Sequence, residues 1–528
     1  MLVSDVLLNS FLQDRFDDIE IGGVVCSTKD IKPKTDDYAG DLFLCIKGAT
    51  VDRHEFISQA IESGAVGIVC SEKYYIDNVT SEPVNELVKF YYVPDVGAIY
   101  AQVFQRLYSS PQNKLKMLAV TGTDGKTTTA TLVSEILGQE KCGYIGTNGI
   151  DLGSKVHFES FNTTPGPQEL YRYLAEFVKK GATTCAMEAS SEAQYYNRFQ
   201  NLQFNSLALT NITSEHLNTH GTVENYVAAK TAIFSDHLKS DGWAILNLDD
   251  IHSEGIIKAM QKTGAAKAGQ NVLTYSTKQT ADLQVLDFST YLNDSQFGTG
   301  TAITLKMSKR FKVLAKVADN QTDSEIIKFT SPLLGDFNVE NLMCALLLAV
   351  SGGATMKDFL KALPKLNVAG RLDMLNLGQD FAVMVDYAHT PNGVERLLRF
   401  ANQISGVGRR ITVIGQAGER DHGKRHIVGK IASSNSDLVI FTEDDQKHED
   451  VNQIIKNMTE DLDKNKDNWL EIPNRKLAIK KAISEANSGD LVMILGKGAD
   501  PFNKVGDIKL PYCDIDVAID EIKQKMKS

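Results

Sequence analysis

Cysteine is sparse: seven in 528 residues, odd in number and scattered at positions 26, 45, 70, 142, 185, 344 and 513. None form a Cys-x-x-Cys pair, which excludes a disulfide framework and a thiolate zinc site and points to a reducing cytoplasm. Long apolar runs are missing too. Nothing approaches the roughly 18 consecutive residues of a membrane span. The opening stretch Met1-Leu-Val-Ser-Asp-Val-Leu-Leu8 lacks the basic flank and long apolar core of a secretory leader, so none is expected. Positive charge is in deficit, with 56 Lys and Arg against 67 Asp and Glu and a net charge of −11. That balance gives nucleic-acid binding no support. A phosphate-bearing ligand would need local clusters of Lys and Arg working against the overall field. There is no internal repeat and no long low-complexity segment. A hydrophobic content of 42% with 23% charged residues is ordinary for a soluble globular protein. The length suggests roughly three domains.

The most informative stretch present is Thr121-Gly122-Thr123-Asp124-Gly125-Lys126-Thr127-Thr128-Thr129. It follows a strand-like run, Leu115 to Val120, and precedes Ala130 to Leu137, which has helical periodicity. A glycine turn between a strand and a helix start aims backbone N–H groups and the positive helix end at one point, where phosphate fits. Lys126 would reach the outer phosphates, and Thr127 would place its hydroxyl on Mg²⁺. The loop reads Gly-x-x-Gly-Lys-Thr, two residues shorter than the standard phosphate loop.

Residues 1 to about 112 read as short strands and helices, with Ser109 to Lys114 as a linker. From 113 to 368, strands such as Thr184–Glu188, Ser206–Thr210 and Trp243–Asn247 alternate with helical segments, the doubly wound α/β pattern. Residues 269–330 alternate apolar and polar positions and predict an antiparallel β insertion. A third α/β unit, 369–528, carries strands at Ala382–Asp386, Arg410–Gly415, Leu438–Thr442 and Asp490–Leu495. Functional groups should gather at the C-terminal ends of such strands.

Several of those ends carry polar residues that a core would not choose. Glu188 ends one strand, and Thr210 to His216 ends the next with a histidine. Lys230 lies in the apolar stretch Tyr226 to Phe234, where a free ammonium costs desolvation energy. Taken singly, a strand-end Glu is more often a cap, a lone His is usually just hydrogen-bonded, and a helical Lys usually snorkels. Their order after a phosphate loop makes that joint reading unattractive.

These motifs, with His220-Gly221, Gly335-Asp-Phe-Asn338-Val-Glu-Asn341, Gly370-Arg371 and Asp386-Tyr-Ala-His-Thr-Pro391, resemble in family order the ATP-dependent Mur ligases of peptidoglycan synthesis. Asn162-Thr-Thr-Pro165, Glu188-Ala-Ser-Ser191, Gly418-Glu-Arg-Asp-His-Gly-Lys-Arg425 and Gly496-Lys-Gly498 are similar, more narrowly, to the members that add the third stem-peptide residue. The resemblance implies three domains, with a central phosphate-loop ATPase domain and a Rossmann-like C-terminal domain. It implies a cytoplasmic, monomeric enzyme of cell-wall synthesis, hence of cell shape and division. Its substrates would be ATP, UDP-MurNAc-L-Ala-D-Glu and a diamino acid, with two Mg²⁺ ions. The γ-carboxylate of D-Glu would be phosphorylated by ATP and then attacked by the amino acid's α-amine.

Residue roles follow from the same resemblance. Ser27, Gly40, Asp41 and Phe43 fall in the pattern that holds the UDP end, and Thr163, Thr164, Ser191 and Arg198 in the one that grips the sugar–peptide part. Thr123, Gly125, Lys126, Thr127, Thr128, Asn338, Arg371 and Asp386 match ATP contacts. Glu188, Thr127 and His216 match magnesium positions, and Lys230 the lysine that CO₂ converts to a carbamate (N6-carboxylysine). Lys126, Glu188, His216 and Lys230 form the catalytic set. Four positions depart from the pattern: Arg53 replaces a glycine, Glu192 a histidine, Tyr196 a glutamine and Glu215 an aspartate.

Arg420 matches the residue that binds the incoming α-carboxylate. Members that add meso-diaminopimelate carry Asp-Asn-Pro-Arg, whose arginine forks onto the distal carboxylate. Here Asp444-Asp445-Gln446-Lys447 stands there, and Gly496-Lys-Gly-Ala-Asp500 replaces the usual Gly-Lys-Gly-His-Glu. A planar bidentate grip becomes at most a point charge. Glu443 and Glu449 lie nearby, so the surround suits a distal ammonium and the expectation is L-lysine. The counter-reading keeps Lys447 as a diaminopimelate carboxylate partner. Two rivals stand further off: a folylpolyglutamate synthetase-like ligase, and a nucleotide-binding regulator that no longer catalyses.

Overall fold

A computed structural model describes residues 1–7, 17–48, 51–71, 88–160, 162–213, 217–265, 271–294, 298–317, 325–404, 407–463, 466 and 468–527. Its contacts gather the chain into two units. The first comprises Met1–Leu118, Gln139–Asn205 and Asp236–Lys239. The second comprises Ala119–Gly138, Ser206–Ser235 and Ser240–Ser528.

The first unit opens with a parallel four-stranded sheet, β1 (Gly23–Val25), β2 (Asp41–Leu44), β3 (Gly67–Ser71) and β4 (Lys89–Val93), in that order. Phe43, Cys45, Ile57, Ile68 and Cys70 form part of its core. The stretch read as a linker has defined local structure. Ser109 and Ser110 take left-handed φ values, and Pro111–Lys114 is a 3₁₀ turn with Pro111 and Gln112 buried. After β5 (Lys116–Thr121), the unit continues with β6 (Cys142–Gly146), β7 (Gly149–Asp151), β8 (His157–Phe158) and β9 (Thr184–Glu188). β6 pairs parallel with β9 and antiparallel with β7. All five β9 residues are buried, as for a strand covered on both faces.

In the second unit, the helix Lys126–Leu137 packs on the apolar helix Asp336–Gly352. Following β10 (Phe204–Leu209), β11 (Leu238–Asn247) pairs parallel with β12 (Val272–Ser276), which in turn pairs with β13 (Leu283–Asp294). β13, β14 (Gly298–Met307) and β15 (Ile326–Ser331) are antiparallel, the insertion expected from the alternation. The third sheet contains β16 (Asp373–Leu375), β17 (Ala382–Asp386), β18 (Arg410–Gln416), β19 (Leu438–Glu443), β20 (Trp469–Glu471) and β21 (Leu491–Leu495), in the order β16-β17-β21-β18-β19-β20. β17, β21, β18, β19 and β20 run parallel, and β16 antiparallel at the edge. Two apolar clusters cover its faces, one around Met384, Leu398 and Phe441 and one around Val385, Ile440 and Ile479. Register places Asp386 and Ile414 beside Leu495, and Gln416 beside Glu443. The loops at 387–390, 417–421, 444–447 and 496–500 therefore leave one edge of one sheet, where α/β proteins build sites.

Candidate active site

The phosphate loop is shaped by the neighbouring strand end. The Thr123 amide donates to the Asn211 carbonyl at 2.8 Å, and the Asp124 amide to the Asn211 side chain at 3.1 Å. The Thr210 hydroxyl donates to the Asp124 carbonyl at 2.6 Å. Gly122 has φ +151°, and a Cβ there would collide with the Thr210 hydroxyl; one on Gly125 (φ +85°) would collide with Asn341. Only glycine admits this close backbone approach. Lys126 Nζ folds back onto the carbonyls of Gly122 (2.9 Å) and Thr123 (2.8 Å), so a phosphate would compete with those bonds. Thr127 and Thr128 are buried in the first helical turn.

Behind the loop stands the helix Val223–His237. Its Tyr226 hydroxyl lies 2.9 Å from the Thr123 hydroxyl. Lys230 is 1% exposed, with Nζ 2.7 Å from the Gly122 carbonyl and 4.7 Å from the Tyr226 ring centre. A lysine so placed could keep one N–H on Gly122 after carbamylation, which would convert a buried cation into an anion beside the phosphate loop. His216 and Glu215, one an expected magnesium ligand, lie outside the described residues.

Two of the expected nucleotide contacts, Asn338 and Arg371, line a cavity of about 280 Å³ with Leu333, Pro364, Asn367 and Leu372 among its other walls. Asn338 Nδ2 donates to the Leu334 carbonyl at 2.9 Å. Arg371 reaches the Thr127 hydroxyl at 3.3 Å and lies 4.6 Å from the Tyr387 ring centre. Asp386 accepts from the amides of Leu372 (2.8 Å) and Ala388 (2.7 Å). Burial pushes its pKa up, and Arg371 only partly offsets this. Asp124 accepts from Thr390 (3.3 Å) and Asn392 (3.1 Å), which ties the phosphate loop to the chain after β17.

Within the first unit, Glu188 is 1% exposed. Its Oε1 accepts from Tyr144 and from the Thr147 amide, both at 2.8 Å, while Oε2 has a long contact to Thr147 at 3.4 Å. Thr164 bonds the Glu188 carbonyl at 2.8 Å, Thr163 lies 3.1 Å from the Thr147 hydroxyl, and Arg198 donates to the Thr164 carbonyl at 2.9 Å. Ser191 is buried at the start of its helix, capped by Ser190. The substituted Tyr196 is stacked against Arg198, ring centre to guanidinium 5.7 Å. Ser27 follows the end of β1, and Asp41 accepts from the Lys32 amide at 2.8 Å and from Tyr38. Glu188 and Thr127 are hard oxygen donors that fit magnesium. Among the described residues, no three His, Cys, Asp or Glu side chains gather as a ready metal site.

The acidic run around 443–450 differs from expectation. Its carboxylates were expected to await a distal ammonium, but they already have partners. Asp444 and Asp445 hold Lys497 Nζ at 3.5 and 2.7 Å. Glu443 accepts from the Arg475 amide at 3.1 Å, and Glu449 takes both Arg425 Nη atoms at 2.9 and 3.0 Å. The hydrogen bonds from Arg425 outweigh the cost of burial and help pull the Glu449 pKa down to about 2. Lys447 pairs with Glu419 at 3.6 Å. Asp500 is the exception: burial raises its pKa to about 6, against Lys497 and with Asp444 and Asp445 adding to the rise. Arg420 is exposed on the adjacent loop, and Gln446 half-buried. Gly496 has φ +116° and lies under the Asp444 carboxylate. Lys497 appeared in the sequence only inside the Gly496-Lys-Gly498 motif and was given no role, although a lysine between two glycines directly after an apolar strand was the available signal.

Comparison with known proteins matches three family models: "Mur ligase family, catalytic domain" over residues 36–106, "Mur ligase middle domain" over 120–349, and "Mur ligase, glutamate ligase domain" over 370–498. A UDP-N-acetylmuramoyl-L-alanyl-D-glutamate–2,6-diaminopimelate ligase of Aquifex aeolicus is 32% identical, over 94% of this chain and 92% of its own length. The ligase of the same name from Syntrophomonas wolfei is 33% identical, over 98% and 97%. Among solved structures, one of a ligase bearing that name superposes with a TM-score of 0.60 at 26% identity, covering 96% of both chains. Folylpolyglutamate synthase of Mycobacterium tuberculosis, complexed with ADP, shares the fold at a TM-score of 0.59 and 14% identity but covers 76% of this chain. No described helix is long and apolar enough to cross a membrane. With three domain models in family order and relatives above 30% identity along its whole length, the chain belongs to the Mur ligase family of ATP-dependent ligases.

Proposed function

We propose that the protein joins a diamino acid to the D-glutamyl γ-carboxylate of UDP-MurNAc-L-Ala-D-Glu, driven by ATP. The main support is the phosphate loop with Lys126 and Thr127 at a helix start, backed by the buried Lys230. Lys126 would leave the Gly122 and Thr123 carbonyls to neutralise the γ-phosphate as it passes to the carboxylate. The acyl phosphate so formed loses phosphate when the amino acid's α-amine attacks, leaving an amide. Arg371 and Asp386 would hold the nucleoside end. Thr164, Ser191 and Arg198 would hold the muramoyl peptide, and Arg420 the incoming α-carboxylate. Thr127 and a carbamylated Lys230 in the second unit, and Glu188 in the first, are each donors suited to magnesium, which would supply charge neutralisation between anionic reactants.

For the added residue, 2,6-diaminopimelate is the favoured reading, because the relatives carry that name and the acidic run no longer argues for lysine. L-Lysine remains the second reading on one observation: position 447 offers an ammonium already paired with Glu419, not a free guanidinium. Assaying ATP hydrolysis coupled to tripeptide formation, with meso-diaminopimelate and L-lysine in parallel, tests both. Folate in place of the muramoyl peptide tests the rival ligase. Turnover with folate alone, or none with any acceptor, would overturn the proposal.

A further inference from the structure

Lys497 is 0% exposed, a burial that an ammonium tolerates only when paired. Burial alone would lower its pKa, yet the charges of Asp444 and Asp445 outweigh that and the net shift is upward. Its partner Asp445 is a junction. Asp445 Oδ1 takes Lys497 Nζ at 2.7 Å and the Lys504 amide at 3.0 Å. The Asp445 amide donates to Asn503 at 3.0 Å, and its carbonyl accepts from the Gly418 amide at 3.0 Å. Gly418 begins the loop that carries Arg420, and a Cβ there would collide with the Gln446 carbonyl. Asp445 and Lys447 take left-handed φ values of 38° and 51°, a conformation non-glycine residues hold only when surroundings impose it. The Asp500 amide closes the cluster by donating to the Lys497 carbonyl at 3.1 Å.

We propose that Lys497 is a positioning residue for the incoming amino acid: its buried ammonium, gripped by Asp444 and Asp445, fixes the loops after β18, β19 and β21 in the geometry that binds it. The inference rests on the ligase reading above. Lys497 does not itself need to touch substrate. It holds Asp445 in place, Asp445 holds Gly418, and the strained 445–447 backbone stays set. Asp500, beside the aspartate pair, feels the Lys497 charge but makes no ion pair among the described residues.

The test is steady-state kinetics on the full-length protein with Lys497→Met, Asp445→Asn and the double variant. Losing a charge-assisted bond of this kind corresponds to about 10- to 100-fold. The Michaelis constant for the diamino acid should rise by about that factor in each single variant, with those for ATP and the muramoyl peptide within about twofold. The double variant should be no worse than the poorer single, because both act through one contact. If Lys497→Met does not fold, Asp445→Asn, which keeps the side chain's size, decides on the same readout. An unchanged constant for the diamino acid, a parallel rise in all three constants, or additive effects would overturn the inference while leaving the ligase reading intact. A wild-type protein that uses no diamino acid would overturn both.

Discussion

Removing the Arg475 guanidinium should destabilise the third sheet far more than removing it together with its partner. Arg475 and Asp514 are both 0% exposed, joined by two bonds of 2.8 and 2.6 Å. Burial alone would lower the Arg475 pKa, but the Asp514 charge more than reverses this and holds the cation. Arg475 also donates to the carbonyls of Leu495 at 2.9 Å and Glu443 at 3.2 Å, which ties the ends of β21 and β19 beneath the loops at 444–447 and 496–500. Arg475→Met leaves Asp514 a buried carboxylate with the Tyr512 hydroxyl at 2.8 Å. Stranding one member of such a pair costs about 3–5 kcal/mol, whereas replacing both by apolar groups is often neutral. For a domain of this size that is a fall in Tm of about 6–20 °C. The chain has two tryptophans, and Trp469 lies on β20 in the same sheet, 6.3 Å from the Phe441 ring. In a Trp243→Phe background, Trp469 fluorescence reports this sheet during heating. The double variant Arg475→Met with Asp514→Leu should recover most of the loss. A single-variant loss below about 1 kcal/mol, or a double variant as unstable as the sum, would refute the reasoning.

Lys126→Ala should keep the fold and lower kcat by about 10²–10³, the cost of losing a preorganised transition-state charge, and near-normal turnover would count against the phosphate-cradle assignment. Lys230 should carry a carboxyl group on Nζ in the nucleotide- and metal-loaded protein, visible in density; Lys230→Ala should be nearly inactive and partly restored by added formate or acetate. A plain ammonium there in fully active enzyme would remove the carbamate from the account. Glu135, in the phosphate-loop helix, has a buried Oε2 without a partner, and burial raises its pKa from 4.5 to about 7 against the Asn367 amide. A raised folded pKa means stability present below about pH 4.5 is lost as pH climbs through about 7. Glu135→Gln should therefore be more stable than wild type by about 1–3 kcal/mol near pH 8 and little different near pH 5, read by thermal melts at both.

The strands that hold the site were legible because parallel strands covered on both faces write themselves as continuous apolar runs. Ala382–Asp386 matches its expected bounds, and Leu491–Leu495 and Arg410–Gln416 differ by one residue. β11 begins at Leu238, not Trp243, because Lys239-Ser-Asp-Gly242 carries no alternation to reveal a strand. The glycines of the phosphate loop were legible for the same reason they are required: no other residue fits against Thr210 and Asn341. What escaped was the pairing of charges. A run such as Glu443-Asp-Asp445 shows how many carboxylates are present but not which are already engaged. That depends on β21 lying between β17 and β18, which brings Lys497 to residues more than fifty positions earlier. Arg425 figured in the sequence only as the end of a motif and Arg475 not at all, yet both are buried.

The central claim is that ATP activates the γ-carboxylate by phosphorylating it, and oxygen tracing tests this most directly. UDP-MurNAc-L-Ala-D-Glu labelled with heavy oxygen in the γ-carboxylate is incubated with the protein, ATP, magnesium and the diamino acid, and the released phosphate is analysed by mass spectrometry. Each amide formed should deliver one labelled oxygen to phosphate, with no label transferred when ATP is omitted. Tripeptide formed with unlabelled phosphate, or ATP hydrolysed without any tripeptide, would contradict the account.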